Sequence, residues 1–320
     1  MKKVVVLGGG TGQSTLLRGL KLFPIDISAV VSVCDDGRST GRLREEFNTF
    51  AVGDIRQVIA ALSETEPLFE KLLNYRFETT SDLNGHAVGN LLLTALCNIT
   101  GNTQEGIETL GKVLKIKGKV LPFTLESPTL IGKMDDGSIM HGEHNITQST
   151  QKIEEVYYET DVKVNPNILK AIHEADLIIL SMGSLYTSII PVLLSKELLN
   201  FIDKSKAKIM YISNMMTQPG ETDDYKVSDH VNTLNKYLGK KKIDIVIANN
   251  GEIPKHILKK YETEEQKDQV ILDEENLKDV KLITGNYVTI DKNIIRHRVT
   301  KLSVDIYDYL LEGDEQDVVY

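Results

Sequence analysis

The sequence predicts an α/β fold of the doubly wound type, with a mostly parallel sheet and an antiparallel hairpin insertion. Short Val- and Ile-rich runs alternate with longer helical patterns, the signature of βαβ units. Each run is followed by a small-residue or polar turn that opens a helix. The 320 residues are 41% hydrophobic and 26% charged, the composition of a globular chain able to bury a substantial core. Length allows one or two domains; one, spanning 1–320, is expected, and no repeats or low-complexity linkers are visible.

Val4–Leu7 is the first strand. Its four-residue apolar run is far short of a signal-peptide core or of the roughly 20 residues of a membrane span. Ser28–Val33, Leu177–Ser181, Lys208–Ser213 and Ile243–Ala248 are the other clear strands. Between them, Leu121–Leu125, Leu130–Met134 and Ser138–His141 read as short strands, the last two joined by the hairpin signal Asp135-Asp136-Gly137. These are assigned to a β-rich antiparallel insertion at about 116–158. Glu262–Asp268 reads as a mobile helix end, and the acidic Leu311–Tyr320 is expected to fray.

Acidic residues outnumber basic ones by 46 to 37, for a net charge of -9. That balance opposes general binding to nucleic acid or to an anionic membrane. Cys34 and Cys97 form no CxxC pair, so neither a disulfide framework nor a thiolate metal site is indicated, and a reducing compartment fits.

The turns carry the chemistry. Gly8-Gly9-Gly10-Thr11-Gly12 follows the first strand and opens a helix, so glycine amides and the positive helix end make an anion site for a phosphate. Gln13 breaks both familiar patterns: the dinucleotide fingerprint needs glycine there and the Walker A loop needs lysine. After the second strand, Asp35 stands where an acidic side chain reaches a ribose hydroxyl. Asp35 and Asp36 could instead hold Mg²⁺ beside a diphosphate, while Arg38, Arg42 and Arg44 could grip phosphate oxygens, with Ser39 between them. The bland alternative is an N-capped helix with solvated arginines.

Asp54 and the pair His86 and Asn90 each precede or open an apolar helical pattern. Asp54 can simply cap its helix, and a lone histidine is more often a satisfied core residue than a catalyst. Gly183, Ser184, Tyr186 and Thr187 mirror the first loop, and Asn214, Thr217 and Gln218 gather at the same sheet edge. Gly183-Ser184 is not the G-x-S-x-G of a serine hydrolase.

In order along the chain, GGGTG (Gly8–Gly12), DDG with STGRLR (Asp35–Arg44), GDIR (Gly53–Arg56), GHAVGNLLL (Gly85–Leu93), HGEHNI (from His141), GSLYTSIIP (Gly183–Pro191) and NMMTQPGET (Asn214–Thr222) resemble the gluconeogenesis-factor family. This is the bacterial branch of the superfamily that also contains 2-phospho-L-lactate transferase. Arg38 replaces the usual glycine, Thr40 a serine, and Met182 a proline.

The resemblance implies a Rossmann-like core, a cytoplasmic location and binding of UDP-sugars, UDP-N-acetylglucosamine above all. It also implies a role in carbon-dependent cell-envelope growth and shape, with an unidentified protein partner in envelope synthesis. Tyr261 and Arg296 match positions that hold the UDP-sugar in this branch. No reaction attaches to the branch, so a ligand sensor is expected rather than a catalyst. The alternatives are a Mg²⁺-dependent transferase using a nucleotide-diphosphate-activated substrate, or an atypical NAD-binding protein. The oligomeric state stays open, a homo-oligomer included.

Overall fold

In chain order the strands are β1 (Lys3–Gly8), β2 (Asp26–Val31) and β3 (Lys119–Pro122), then β4 (Leu130–Met134), β5 (Ile139–His141) and β6 (Ile153–Tyr158). After them come β7 (Leu177–Leu180), β8 (Lys208–Ile212), β9 (Ile245–Asn249), β10 (Lys281–Gly285), β11 (Val288–Asp291) and β12 (Ile294–His297). The structure, a computed structural model, describes residues 1–47, 49–65 and 67–316, apart from the side chains of Arg38 and of 313–316.

The main sheet runs β10-β9-β8-β7-β1-β2-β3 with every neighbouring pair parallel. Its inner strands are buried on both faces, which is why they read as continuous apolar runs rather than alternating ones. Along β1 the side chains nonetheless part by the period of two. Val4 and Val6 join the core beneath α1 (Gly10–Leu20), while Val5 and Leu7 join the core on the opposite face.

The first core packs Leu16, Leu17 and Leu20 of α1 against Ile55, Ile59 and Leu62 of a helix at Val52–Leu62. Leu302 and Ile306 of the last helix, Val299–Gln316, join them. The second core takes Ile168 and Ile172 of helix Pro166–Glu174, Leu198 and Ile202 of Lys196–Lys204, and Val231 and Leu234 of Val227–Tyr237.

The five clear strands stand within two residues of their expected limits. The expectation for Leu121–Leu125 is corrected. That region is β3, a parallel edge strand paired with β2 in register Val30↔Leu121, because its apolar residues continue the main core. The antiparallel sheet therefore starts at β4, and it has three strands, β5-β4-β6, rather than a hairpin alone. Tyr261–Glu265 continues its helix as a π-turn that ends at Gln266 with φ +53. Of Leu311–Tyr320, residues through Gln316 are helical and 317–320 lie outside the described residues. No single described helix is long and apolar enough to cross a membrane.

Candidate functional site

Strand order reverses between β1 and β7, so the turns after them diverge and open a crevice at the carboxyl edge of the sheet. The two turns still touch. A Cβ on Gly12 would stand 1.7 Å from the Met182 carbonyl oxygen, so only glycine permits this approach. Gly10 adopts φ +59, and Gly9 before it brings no side chain to cap α1. The first amides of α1 thus need partners from outside the helix.

Gln13 turns inward instead. Its Nε2 donates to the Val6 and Val30 carbonyls, each at 2.9 Å, tying β1 to β2 beneath the loop. The residue that spoils both standard nucleotide motifs is therefore a strand clamp.

One wall of the crevice is acidic. Asp35 accepts from Gly37 N at 3.1 Å and from Thr40 Oγ1 at 2.7 Å, and so caps the helix Arg38–Phe47. Asp54 accepts the Gly10 N–H, and its carboxyl is pushed up to about 8 by burial first and then by Asp35 and Glu143. Glu143, pushed up to about 7 by burial and then by Asp35, opens the short helix Glu143–Gln148 of the antiparallel insertion. Asp36 accepts from His144 N at 2.8 Å, which pins that helix to the loop after β2. Among the described residues no set of three or more His, Cys, Asp or Glu side chains forms a metal cage.

Behind this wall runs a buried polar chain. His86 Nδ1 and Asn90 Nδ2 both reach Ser39 Oγ, at 3.0 and 3.2 Å, although His86 precedes the helix Val88–Thr100 that carries Asn90. Arg56 Nε donates to Asn90 Oδ1 at 2.9 Å, and Arg56 also bonds Asn74 Oδ1. Burial lowers the Arg56 guanidinium to about 10, and burial, then Arg42, lowers His86 below the ordinary histidine value. Arg42 is held by the Asp82 and Asn84 carbonyls, and Arg44 by the Asp35 and Pro128 carbonyls, so both brace loops. The Arg38 side chain lies outside the described residues.

The turn after β7 is tied down by the turn after β8. Glu221 Oε2 accepts from Ser184 Oγ at 2.6 Å and from Tyr186 N at 3.2 Å, while Ser184 Oγ also meets Thr187 Oγ1 at 2.6 Å. Asn214 Nδ2 donates to the Gly183 carbonyl at 2.9 Å.

Several of the expected contact residues have partners within the chain. Tyr186 is buried against Tyr225, Thr217 Oγ1 accepts from Asp268 N at 2.8 Å, and buried Tyr261 accepts from Ile295 N at 3.0 Å. Gln218 takes part through its backbone, its N–H donating to Thr222 Oγ1.

The crevice holds a cleft of ≈ 320 Å³ whose lining includes Gly10, Thr11, Asp35, Asp54, Arg56 and Glu143. A second hollow of ≈ 280 Å³ adjoins it across Thr11 and Gln57 and ends at Arg18, Asn74 and exposed Arg296. Together the two hollows make a groove with carboxyls at one end, the first turn of α1 in the middle and Arg18 and Arg296 at the other. Ser39 and Thr187 also line it, whereas Tyr186, Asn214, Thr217, Gln218 and Tyr261 line neither part.

Glu143, Gln57, Arg18 and Glu221 were not marked as candidates by the sequence. Glu143 and Glu221 sit within the HGEHNI and NMMTQPGET segments, which was the available signal.

A family profile described as "2-phospho-L-lactate transferase CofD" matches residues 4–288. The chain is 44% identical to the "Gluconeogenesis factor" of Bacillus subtilis (strain 168), covering 97% of this chain and 98% of that one. The chain belongs to the CofD family, in its gluconeogenesis-factor branch. The "Gluconeogenesis factor" of Halalkalibacterium halodurans is also 44% identical, over 98% and 96% of the two chains. A crystal structure of a UPF0052 family member from Bacillus halodurans superposes with a TM-score of 0.92 at 43% identity, covering 96% and 99%. Within this CofD-family chain, five of the seven segments that carry the resemblance line the groove. GHAVGNLLL braces it through His86 and Asn90 on Ser39, and NMMTQPGET through Glu221 and Asn214 on the turn after β7.

Proposed function

We propose that the chain binds a nucleoside diphosphate sugar of the UDP-N-acetylglucosamine type along this groove, as a cytoplasmic sensor in carbon-dependent cell-envelope growth. The observation that carries the reading is the pair of adjoining hollows at the switch point. Gly9 brings no side chain to cap α1, and with Gly10 N–H turned to Asp54 the amides of Thr11 and Gly12 are the ones offered to a diphosphate. Asp35 stands at the ribose end, and Arg18 and Arg296 can receive the far phosphate or sugar.

A second reading, a Mg²⁺-dependent transferase, is favoured by the carboxyls. Asp54 and Glu143 are both held well above the usual carboxylate range by burial and like charge, which is the state of a cluster short of a counter-cation. Mg²⁺ takes one or two protein carboxylates and fills its shell with phosphate oxygens and water, so the lack of a three-residue cage is compatible with it. Asp35 and Asp54 would hold the ion, which would neutralise diphosphate charge. Asp36, committed to His144, would not.

Calorimetric titration with UDP-N-acetylglucosamine, UDP, ATP and NAD, each with and without Mg²⁺, tests the first reading. Binding of ATP or NAD as tight as the UDP-sugar defeats it. Multiple turnovers at about 1 per second or faster with an acceptor would move the protein to the second reading.

A further inference from the structure

At the amino ends of β1, β2 and β3 lies a separate pocket of ≈ 500 Å³. Lys3 marks it and Gly8 marks the groove, so six residues of strand, roughly 17 Å, separate the two. Its walls are apolar, including Val5, Val120 and Leu121 from the sheet and Ile107 from helix Thr103–Val113. Gly111 lets Ile116 pack closely against its helix at the pocket wall, since a Cβ there would lie 2.8 Å from Ile116 Cδ1.

The rim is basic. Lys112, Lys115, Lys119 and Lys170 line it and are exposed, and no described carboxylate stands within 4 Å of their ammonium groups, although Lys119 and Lys170 feel the Glu174 charge; the fifth lysine, Lys3, is engaged by Glu174 at 2.7 Å. Five lysines face three carboxylates, Asp26, Glu108 and Glu174, a local excess of cation in a chain of net charge -9. A volume in the ordinary ligand range, apolar residues in the walls and an excess of cations at the mouth together describe an amphipathic anion.

We propose that this pocket is a second ligand site, for a small molecule with an apolar or aromatic body and a single acidic headgroup. The body packs on Val5, Val120 and Ile107, and the headgroup is held by the lysine rim. The reading is independent of what the groove binds.

The test uses the full chain and the fluorescent anion 8-anilinonaphthalene-1-sulfonate. One equivalent should bind with micromolar affinity. Octanoate or 1-naphthyl phosphate should displace it, which of the two does so identifying the headgroup, while inorganic phosphate should not. The double variant Lys119→Glu/Lys170→Glu should weaken the probe at least tenfold.

Should that variant fail to fold, hydrogen exchange of the wild-type protein decides instead, with protection expected over 103–121 and 166–174. Unaltered affinity in a folded variant overturns the proposal. So does protection confined to the exposed apolar residues Leu68 and Ile99, or failure of both organic anions to compete.

Discussion

Asp54→Asn isolates the electrostatic tension in the groove. The carboxyl moves from 3.8 in the unfolded chain to about 8 in the fold. Below about pH 4 both states hold the proton and nothing is lost. Above it the unfolded chain releases the proton while the folded chain keeps it, so stability falls as pH rises, until about pH 8.

Four units at about 1.4 kcal/mol each set a ceiling near 6 kcal/mol. Asp54 borders an open cleft, where solvent screens its charge, which reduces the expected effect to about 2–3 kcal/mol. Asparagine keeps the acceptor for Gly10 N–H and removes the charge. With about 2.1 cal/mol/K of unfolding entropy per residue, the variant should melt about 3–5 °C above the wild type at pH 8.5 and level with it only at about pH 3.5. Scanning calorimetry across that range is the assay. A gap that does not widen with pH, or a variant less stable at pH 8.5, would refute the reasoning.

Gly12→Ala should destabilise the chain by about 3 kcal/mol or more in urea unfolding, because the Met182 carbonyl 1.7 Å from the new Cβ is backbone and cannot swing aside. Gln13→Ala should cost about 1–3 kcal/mol by the same measure, since it strips a buried donor from the Val6 and Val30 carbonyls. Arg296→Ala should leave melting unchanged, as the side chain is exposed, yet weaken UDP-N-acetylglucosamine by about ten- to a hundredfold in calorimetry. Cys34 and Cys97, whose thiols burial raises to about 11, should resist a disulfide reagent at pH 8 until the chain is denatured.

The sheet was legible because a strand buried on both faces must be apolar throughout, as Val4–Leu7 and Leu177–Leu180 are. β10 escaped notice for the converse reason: as an edge strand it is only partly buried, and its residues KLITG look like many turns. β3 was seen but misassigned, since local pattern does not say which partner an edge strand finds.

In the site, the glycine turns were readable because glycine at the end of a buried strand has few other uses. Which polar side chain faces the groove was not. Asp36 and Asp54 look alike in sequence, yet one caps a distant helix and the other sits against Gly10. Tyr261 matched a pattern by position and is anchored in the core through Ile295. Glu143 reaches the acidic wall only because the antiparallel insertion folds back over the loop after β2, a long-range contact that no local spacing encodes.

A crystal structure of the chain grown with UDP-N-acetylglucosamine would show whether the groove at the strand switch point receives a diphosphate-linked sugar. The diphosphate should lie at the amides of Thr11 and Gly12, the ribose near Asp35 and the far end of the ligand within reach of Arg296. Ligand density elsewhere, with those amides bound only to water, would contradict the proposal.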